Sequence, residues 1–167
     1  MTTTQRLAAD TRYVLTGLPL AVASFTTGPA LARRFAAAER ARIAGVLGEP
    51  VREPAYRTGG RFAALADRQT WRDLAHATLR WLPSTIASSF VLTWWAGLVG
   101  GLTWAAWGWA LPSGPGVHEL PELLGFGDAY GTIVAWYLGI GLVFAATLPL
   151  VARAAARFEA RFARALL

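Results

Sequence analysis

Cysteine and lysine are both missing from the 167 residues. The first absence excludes a disulfide, a thiolate metal site and a cysteine nucleophile. The second makes all sixteen basic residues arginine. Charge of either sign is missing over two long stretches, residues 81–112 and 129–152. Each is at or above the roughly 20 residues needed to cross a hydrocarbon core about 30 Å thick. Their interiors therefore hold no proton relay, gating-charge array or intramembrane ion pair of the kind that marks pumps and voltage sensors. Phosphate-binding loops, metal-ligand spacings and Ser/His/Asp sets are missing too. No catalytic residue, cofactor or metal is expected, and the chain does not read as an enzyme.

What is present is apolar and aromatic: 54% hydrophobic residues, eight Trp and eight Phe, against 16% charged. That is outside the range of an ordinary soluble domain and describes an all-α, polytopic helical membrane protein. The net charge of +6 could suggest nucleic acid, but apolar segments divide the arginines, so orientation in a bilayer is the better reading and no nucleic-acid partner is expected.

Arginine is unevenly placed. Residues 33–80 carry ten Arg against five acids; residues 113–128 carry no Arg but Glu119, Glu122 and Asp128; residues 153–167 carry four Arg against Glu159. By the positive-inside rule the Arg-bearing segments are cytoplasmic and the Arg-free loop is external. This gives a multi-pass protein of the cell membrane with transmembrane segments at 81–111 and 129–152, an external loop at 113–128, and both termini cytoplasmic.

The apolar stretch 13–32 is flanked on both sides by Arg, so a single crossing violates the rule at one end. Gly17, Pro19, Gly28 and Pro29 interrupt it, and proline in a helix interior removes a hydrogen bond. A re-entrant or interfacial hairpin turning at Thr26-Thr27-Gly28-Pro29 is the expectation. A signal peptide cleaved near Ala21-Val22-Ala23 is the competing one.

Periodicity then places amphipathic cytoplasmic helices. Residues 33–48 read as a helix stopped by Gly48, with a Glu39–Arg42 surface ion pair. Residues 49–61, rich in Pro and Gly, read as loop. A capping-box-like Thr70 and Asp73 start a helix at Trp71. Its apolar line Trp71, Leu74, Ala75, Thr78, Leu79, Leu82 lies on the membrane surface, while Arg72, Asp73, His76 and Arg80 point elsewhere, and the chain bends at Pro83. In 153–167, Val151, Ala155, Phe158, Phe162 and Leu166 form an apolar line that can dock on the cytoplasmic membrane face or continue into a partner.

Within the crossings, Gly97, Gly101 and Ala105 on one helix and Gly131, Ala135 and Gly139 on the other recur at four-residue spacing, which predicts close packing of the two helices or a homodimer. Trp71, Trp81, Trp104, Trp107 and Trp109 read as interfacial anchors. Trp94 and Trp95 sit deeper and could line an aromatic cleft. His118, Glu119 and Glu122 could form a stimulus site, against a solvated loop in which Pro121 starts a helical turn and Gly125 stops it.

The stretches TRYVLTGLPLAV (11–22), RFAAAERARIAGVLG (34–48), TWRDLAHATLRWLP (70–83) and ARFEARFARALL (156–167) together resemble the sensor domain family of actinobacterial membrane proteins. That domain stands at the amino terminus of sensor histidine kinases and also occurs alone. The resemblance implies one sensor-like domain over 1–167, a non-catalytic membrane input module of two-component signal transduction, usually with four crossings in two hairpins, and a histidine kinase or other cytoplasmic partner. It carries over no ligand or catalytic residue. The sequence departs from the family pattern between Phe25 and Pro29, where about one span is missing, and it contains no phosphoacceptor His box or ATP-binding region. The alternative is an accessory or structural subunit of a transporter or other membrane complex.

Overall fold

The computed structural model describes residues 1–27, 29–54, 67–111, 114, 116 and 118–167, the side chains of 24–33 apart. Among the described residues every regular element is helical. The helices are α1 (Thr3–Thr27), α2 (Pro29–Leu47), α3 (Arg68–Leu79), α4 (Trp81–Trp107), α5 (Leu120–Leu123) and α6 (Tyr130–Leu166), with a 3-10 turn at Gly108–Ala110. Two helical stretches, Arg68–Ala110 and Tyr130–Leu166, are long and apolar enough to cross a membrane. The chain forms two compact units, Met1–Val91 with Leu150–Leu167, and Leu92–Pro149.

In the first unit α1 and α2 are antiparallel. The Tyr13 hydroxyl donates to Glu39 at 2.9 Å, and Arg153 reaches both Asp10 and the Val46 carbonyl, at 2.9 and 3.2 Å. The expected reversal thus falls between the two helices, although Gly28 of the proposed turn lies outside the described residues. Val14 and Ala21 are fully buried, so the segment proposed as a cleavable leader is a packed part of the unit. Helix α2 stops where Gly48 takes a φ of 76° and its N–H bonds the Ala44 carbonyl, a left-handed cap that favours glycine. Of the expected loop at 49–61, residues 55–61 lie outside the described residues.

Side-chain contacts fix the direction of α1 within the first unit. Ser88 of α4 donates to the carbonyl of Val14, Gly17 lies against Glu159, and Ser84 donates to the same Glu159. Helix α1 therefore runs antiparallel to the start of α4 and parallel to the end of α6, and its advance toward Thr27 is toward the Trp81 end of α4.

Helix α3 starts earlier than expected. Its N-cap is Asp67, whose carboxylate accepts from the Gln69 N–H at 3.0 Å; Thr70 and Asp73, expected to form the cap, are buried inside the unit. The helix ends at Leu79 because Pro83 has no N–H to offer the Leu79 carbonyl. Ladder bonds resume from Arg80 to His76 and from Ser84 to Arg80, at 3.0 and 3.1 Å.

In α3 the polar line faces the inside of the unit, and the apolar line expected to lie on a membrane surface faces outward. Thr70, Asp73, His76, Ala77 and Arg80 are buried, whereas Trp71 and Leu79 are 55% and 50% exposed. On α6 the buried line is Ala152, Ala155, Ala156, Glu159, Ala160 and Ala163, and Phe158 points outward. Small residues let the backbones approach, and the polar side chains fill the space between them.

In the second unit, α4 and α6 cross where a Cβ on Gly101 would lie 2.6 Å from the Gly141 Cα and the Tyr137 carbonyl oxygen. One turn away Gly97 faces the Phe144 ring. Pro121 begins α5, and Gly125, with φ 84°, follows it, matching the turn read from the sequence.

Two glycines near the end of α2 should respond oppositely to alanine. Gly48→Ala has open space but a left-handed backbone, so it should lose about 1 kcal/mol. Gly45→Ala, also in open space but helical, should gain about 0.5–1 kcal/mol. Thermal unfolding of the purified protein in detergent checks both.

Candidate functional site

Three helices and the α3–α4 junction converge on a buried charge network. Glu39 of α2, 1% exposed, accepts from Tyr13 and from Arg42 at 2.8 Å, and its carboxylate lies 2.9 Å from the Arg80 guanidinium. Arg80 also stands 3.6 Å from Glu159 of α6, and the Ser84 hydroxyl donates to that Glu159 at 2.6 Å. One cation thus serves two buried carboxylates. It does so by proximity rather than by a bidentate fork, since its Nε and Nη2 form no geometrically good hydrogen bond.

Subsidiary pairs flank the centre. Arg40 bonds Asp73 at 2.9 Å, and the Gln69 amide bonds Asp73 and the Leu167 carbonyl at 3.0 and 3.1 Å. Arg153 holds Asp10. Arg42 also donates to the Tyr13 carbonyl and the Thr16 hydroxyl and lies over the Tyr13 ring, 4.6 Å from its centroid, a cation–π contact. Burial, and then the Glu39 carboxylate, push the Tyr13 hydroxyl above the usual phenol range, so it stays protonated and keeps donating.

Burying charges this way is expensive unless each is paired and hydrogen-bonded. The fit is tight as well: a Cβ at position 17 would overlap the Glu159 carboxylate, so only glycine lets α1 close over it. The arrangement stabilises one helix register. Among the described residues no group of three His, Cys, Asp or Glu is placed to hold a metal ion.

The expected packing set is divided. Gly97 and Gly101 do pack on α6, but their partners are Phe144, Tyr137 and Gly141. Gly131 and Gly139 have nothing within 4 Å, and Ala135 and Ala105 are exposed; the Ala105 carbonyl accepts from Tyr130. The α6 face was misjudged because a bulky ring, Phe144, occupies the groove left by Gly97 where the four-residue rule sought a small residue.

Among the anchors, Trp71, Trp81, Trp107 and Trp109 are exposed. Trp104 is 8% exposed and stacks on Tyr137 at 3.8 Å, which corrects its assignment as an anchor. Trp94 donates to Thr147 at 2.9 Å and meets Phe144 edge-on, while Trp95 is half-buried. At the loop, His118 and Glu122 form an exposed pair at 2.7 Å, and Glu119 turns away to accept from Tyr137 at 2.9 Å. The three do not form one site.

The network itself was largely missed. Glu39 and Arg42 were read as a surface pair, yet Glu39 is buried beneath Tyr13 and Arg80. Two signals were available: Glu39 falls on the apolar line of Phe35 and Ile43, and Glu159 stands alone among arginines on a four-residue line of alanines, Ala155 and Ala163.

Among the described residues every regular element is helical, two helices are long and apolar enough to cross a membrane, and a buried ion network ties the first unit together, which defines a helical class of protein. More particularly, the chain matches the family described as Putative sensor over residues 11–167 and belongs to that family. Comparison with curated proteins and with solved structures gave no match.

Removing one partner of a buried ion pair costs about 3–5 kcal/mol. Arg80→Met should therefore destabilise by that amount, and Arg80→Met with Glu159→Met should restore part of it, as a double-mutant cycle in thermal or chemical unfolding would show. Equal losses in single and double variants would mean that the two residues are not coupled. Gly101→Leu should disrupt the α4–α6 crossing, whereas Gly139→Leu, in open space, should unfold like the parent.

Proposed function

We propose that this chain is a membrane-embedded sensor or input domain of a bacterial signal-transduction system, itself non-catalytic. The observation that carries the reading is the family match across residues 11–167. Two further features support insertion in a bilayer. Only 22% and 11% of the most apolar windows of Arg68–Ala110 and Tyr130–Leu166 are buried by the protein itself, the reverse of a soluble core helix. The arginines also flank these windows as the positive-inside rule requires for cytoplasmic termini and an external acidic loop.

In this reading α4 and α6 cross the cell membrane, the α1–α2 hairpin sits at its cytoplasmic face, and the partner is a histidine kinase or another cytoplasmic signalling protein, as the resemblance to actinobacterial sensor domains implies. A stimulus changes the packing of α4 on α6 at Gly101 and Gly141. Helix α6 is unbroken from Tyr130 to Leu166, so a shift at Gly141 can pass along the helix. Such a signal needs two packings of similar free energy that the stimulus separates.

The test is a fusion of the chain, through Leu167, to a reporter kinase in cells. Gly101→Leu should change kinase output by about fivefold or more, the lower end of common allosteric coupling, and Gly139→Leu should not. Unchanged output from an inserted Gly101→Leu protein would remove the packing mechanism. Stoichiometric co-purification with a transport complex, and with no kinase or regulator, would replace the sensor reading with that of an accessory subunit.

A further inference from the structure

We infer that the outer face of the last four turns of α6 is a binding site for anionic phospholipid headgroups, centred on Arg157 and Arg161. Four arginines lie on this segment, and they are not equivalent. Arg153 is held by Asp10 and Arg164 by Glu49, at 2.9 and 2.8 Å. Arg157 and Arg161, one turn apart, are both exposed and have no acidic partner among the described residues. With Phe158, Phe162 and Ala154 they line one open groove. The unit buries Glu159 on the opposite side of this helix, so no carboxylate of the segment competes for the two guanidiniums.

Two chemistries thus lie side by side: a stripe of guanidiniums at i and i+4, and a stripe of phenyl rings at i and i+4. Guanidinium offers paired donors that match phosphate oxygens, and Phe158, 47% exposed, offers an apolar surface beside them. Leu150, 71% exposed, closes the apolar run one to two turns earlier. At about 1.5 Å per residue, Arg157 lies about 10 Å beyond Leu150 along the axis. If the run ending at Ala152 occupies hydrocarbon, the two guanidiniums reach the headgroup layer while the rings stay at the acyl boundary. The occupant is therefore a bilayer lipid with net negative charge, such as phosphatidylglycerol, in preference to a zwitterionic one.

This inference rests on the membrane reading of α6, so insertion is measured separately by resistance to carbonate extraction. The full chain is reconstituted in nanodiscs of equimolar phosphatidylglycerol and phosphatidylcholine, released in mild detergent, and its retained lipid quantified. The parent should retain phosphatidylglycerol preferentially, and excess sodium chloride should abolish the preference. Arg157→Gln with Arg161→Gln should reduce it by about 25-fold, about fivefold per arginine, whereas Arg164→Gln, which breaks an existing pair, should leave it close to the parent. Should the double Gln variant fail to insert, Arg157→Lys with Arg161→Lys keeps the charge and should keep most of the preference. No preference in the inserted parent, a preference unmoved by the double Gln variant, or displacement of the lipid by excess inorganic phosphate would each overturn the site. Failure of the parent to insert would overturn the membrane reading and the site together.

Discussion

Arg80 is the constraint on which the first unit turns. It follows the end of α3, and the missing N–H of Pro83 breaks the helix ladder there, so the side chain enters the bundle between α2 and α6. Two buried carboxylates need that one cation. Once Glu39 and Glu159 lie in a low-dielectric interior, their remaining lone pairs need donors; Tyr13 and Arg42 supply them to Glu39 and Ser84 supplies one to Glu159, whose Oε2 is left without a hydrogen-bond partner. Gly17 and the alanines of α6 are then required as well, because the ions can be enclosed only if the backbones come close. A well-packed apolar core of the same volume could be equally stable. What the network adds is discrimination: a one-residue slip of α1, α2 or α6 would strand a charge.

The outward apolar faces follow from the same constraint. A helix that spends its polar side on an internal network must turn its apolar side outward, and Trp71, Leu79 and Phe158 are where that happens. In water this would be costly, at about 25 cal/mol for each Å² of apolar surface left exposed. Against lipid that cost would be absent, for these groups as for the exposed windows of α4 and α6.

Much of this was legible in the amino-acid order. The two charge-free runs became the long helices, Gly48 stopped α2, Pro121 and Gly125 bounded α5, and a reversal lies between Thr27 and Pro29. These signals are local: each depends on a residue's own backbone or on the solubility of one segment. What was misread depends on partners distant in sequence. Periodicity assigns a helix a polar and an apolar side but does not say that the polar side will pack inside the unit, as it does in α3. The pairing of Tyr13 with Glu39, or of Arg80 with Glu159, cannot be seen from the spacing within one helix. Trp104 was read as an anchor from its place near a helix end; its stacking on Tyr137, 33 positions further on, could not be seen from that place.

The two units are held together internally by different physics, and the difference bears on which can change state. In the second unit α4 and α6 meet through Gly101 and Gly141, backbone on backbone, with Trp94–Thr147 and Tyr130–Ala105 as the polar contacts between these helices. Dispersion between small residues changes gradually over a short slide, because each contact is worth only about 0.1–0.2 kcal/mol per atom pair. In the first unit the ion network permits no gradual slide: moving Arg80 away from its carboxylates re-exposes a cost of several kcal/mol per ion. A shift within the glycine packing of the second unit is thus cheap to start, whereas one within the network of the first ends in a discrete re-pairing of charges. The 2.9 and 3.6 Å distances from Arg80 to its two carboxylates show that the cation is already shared unequally, nearer to Glu39, so that re-pairing would run toward Glu159 and would pull α6 against the start of α4.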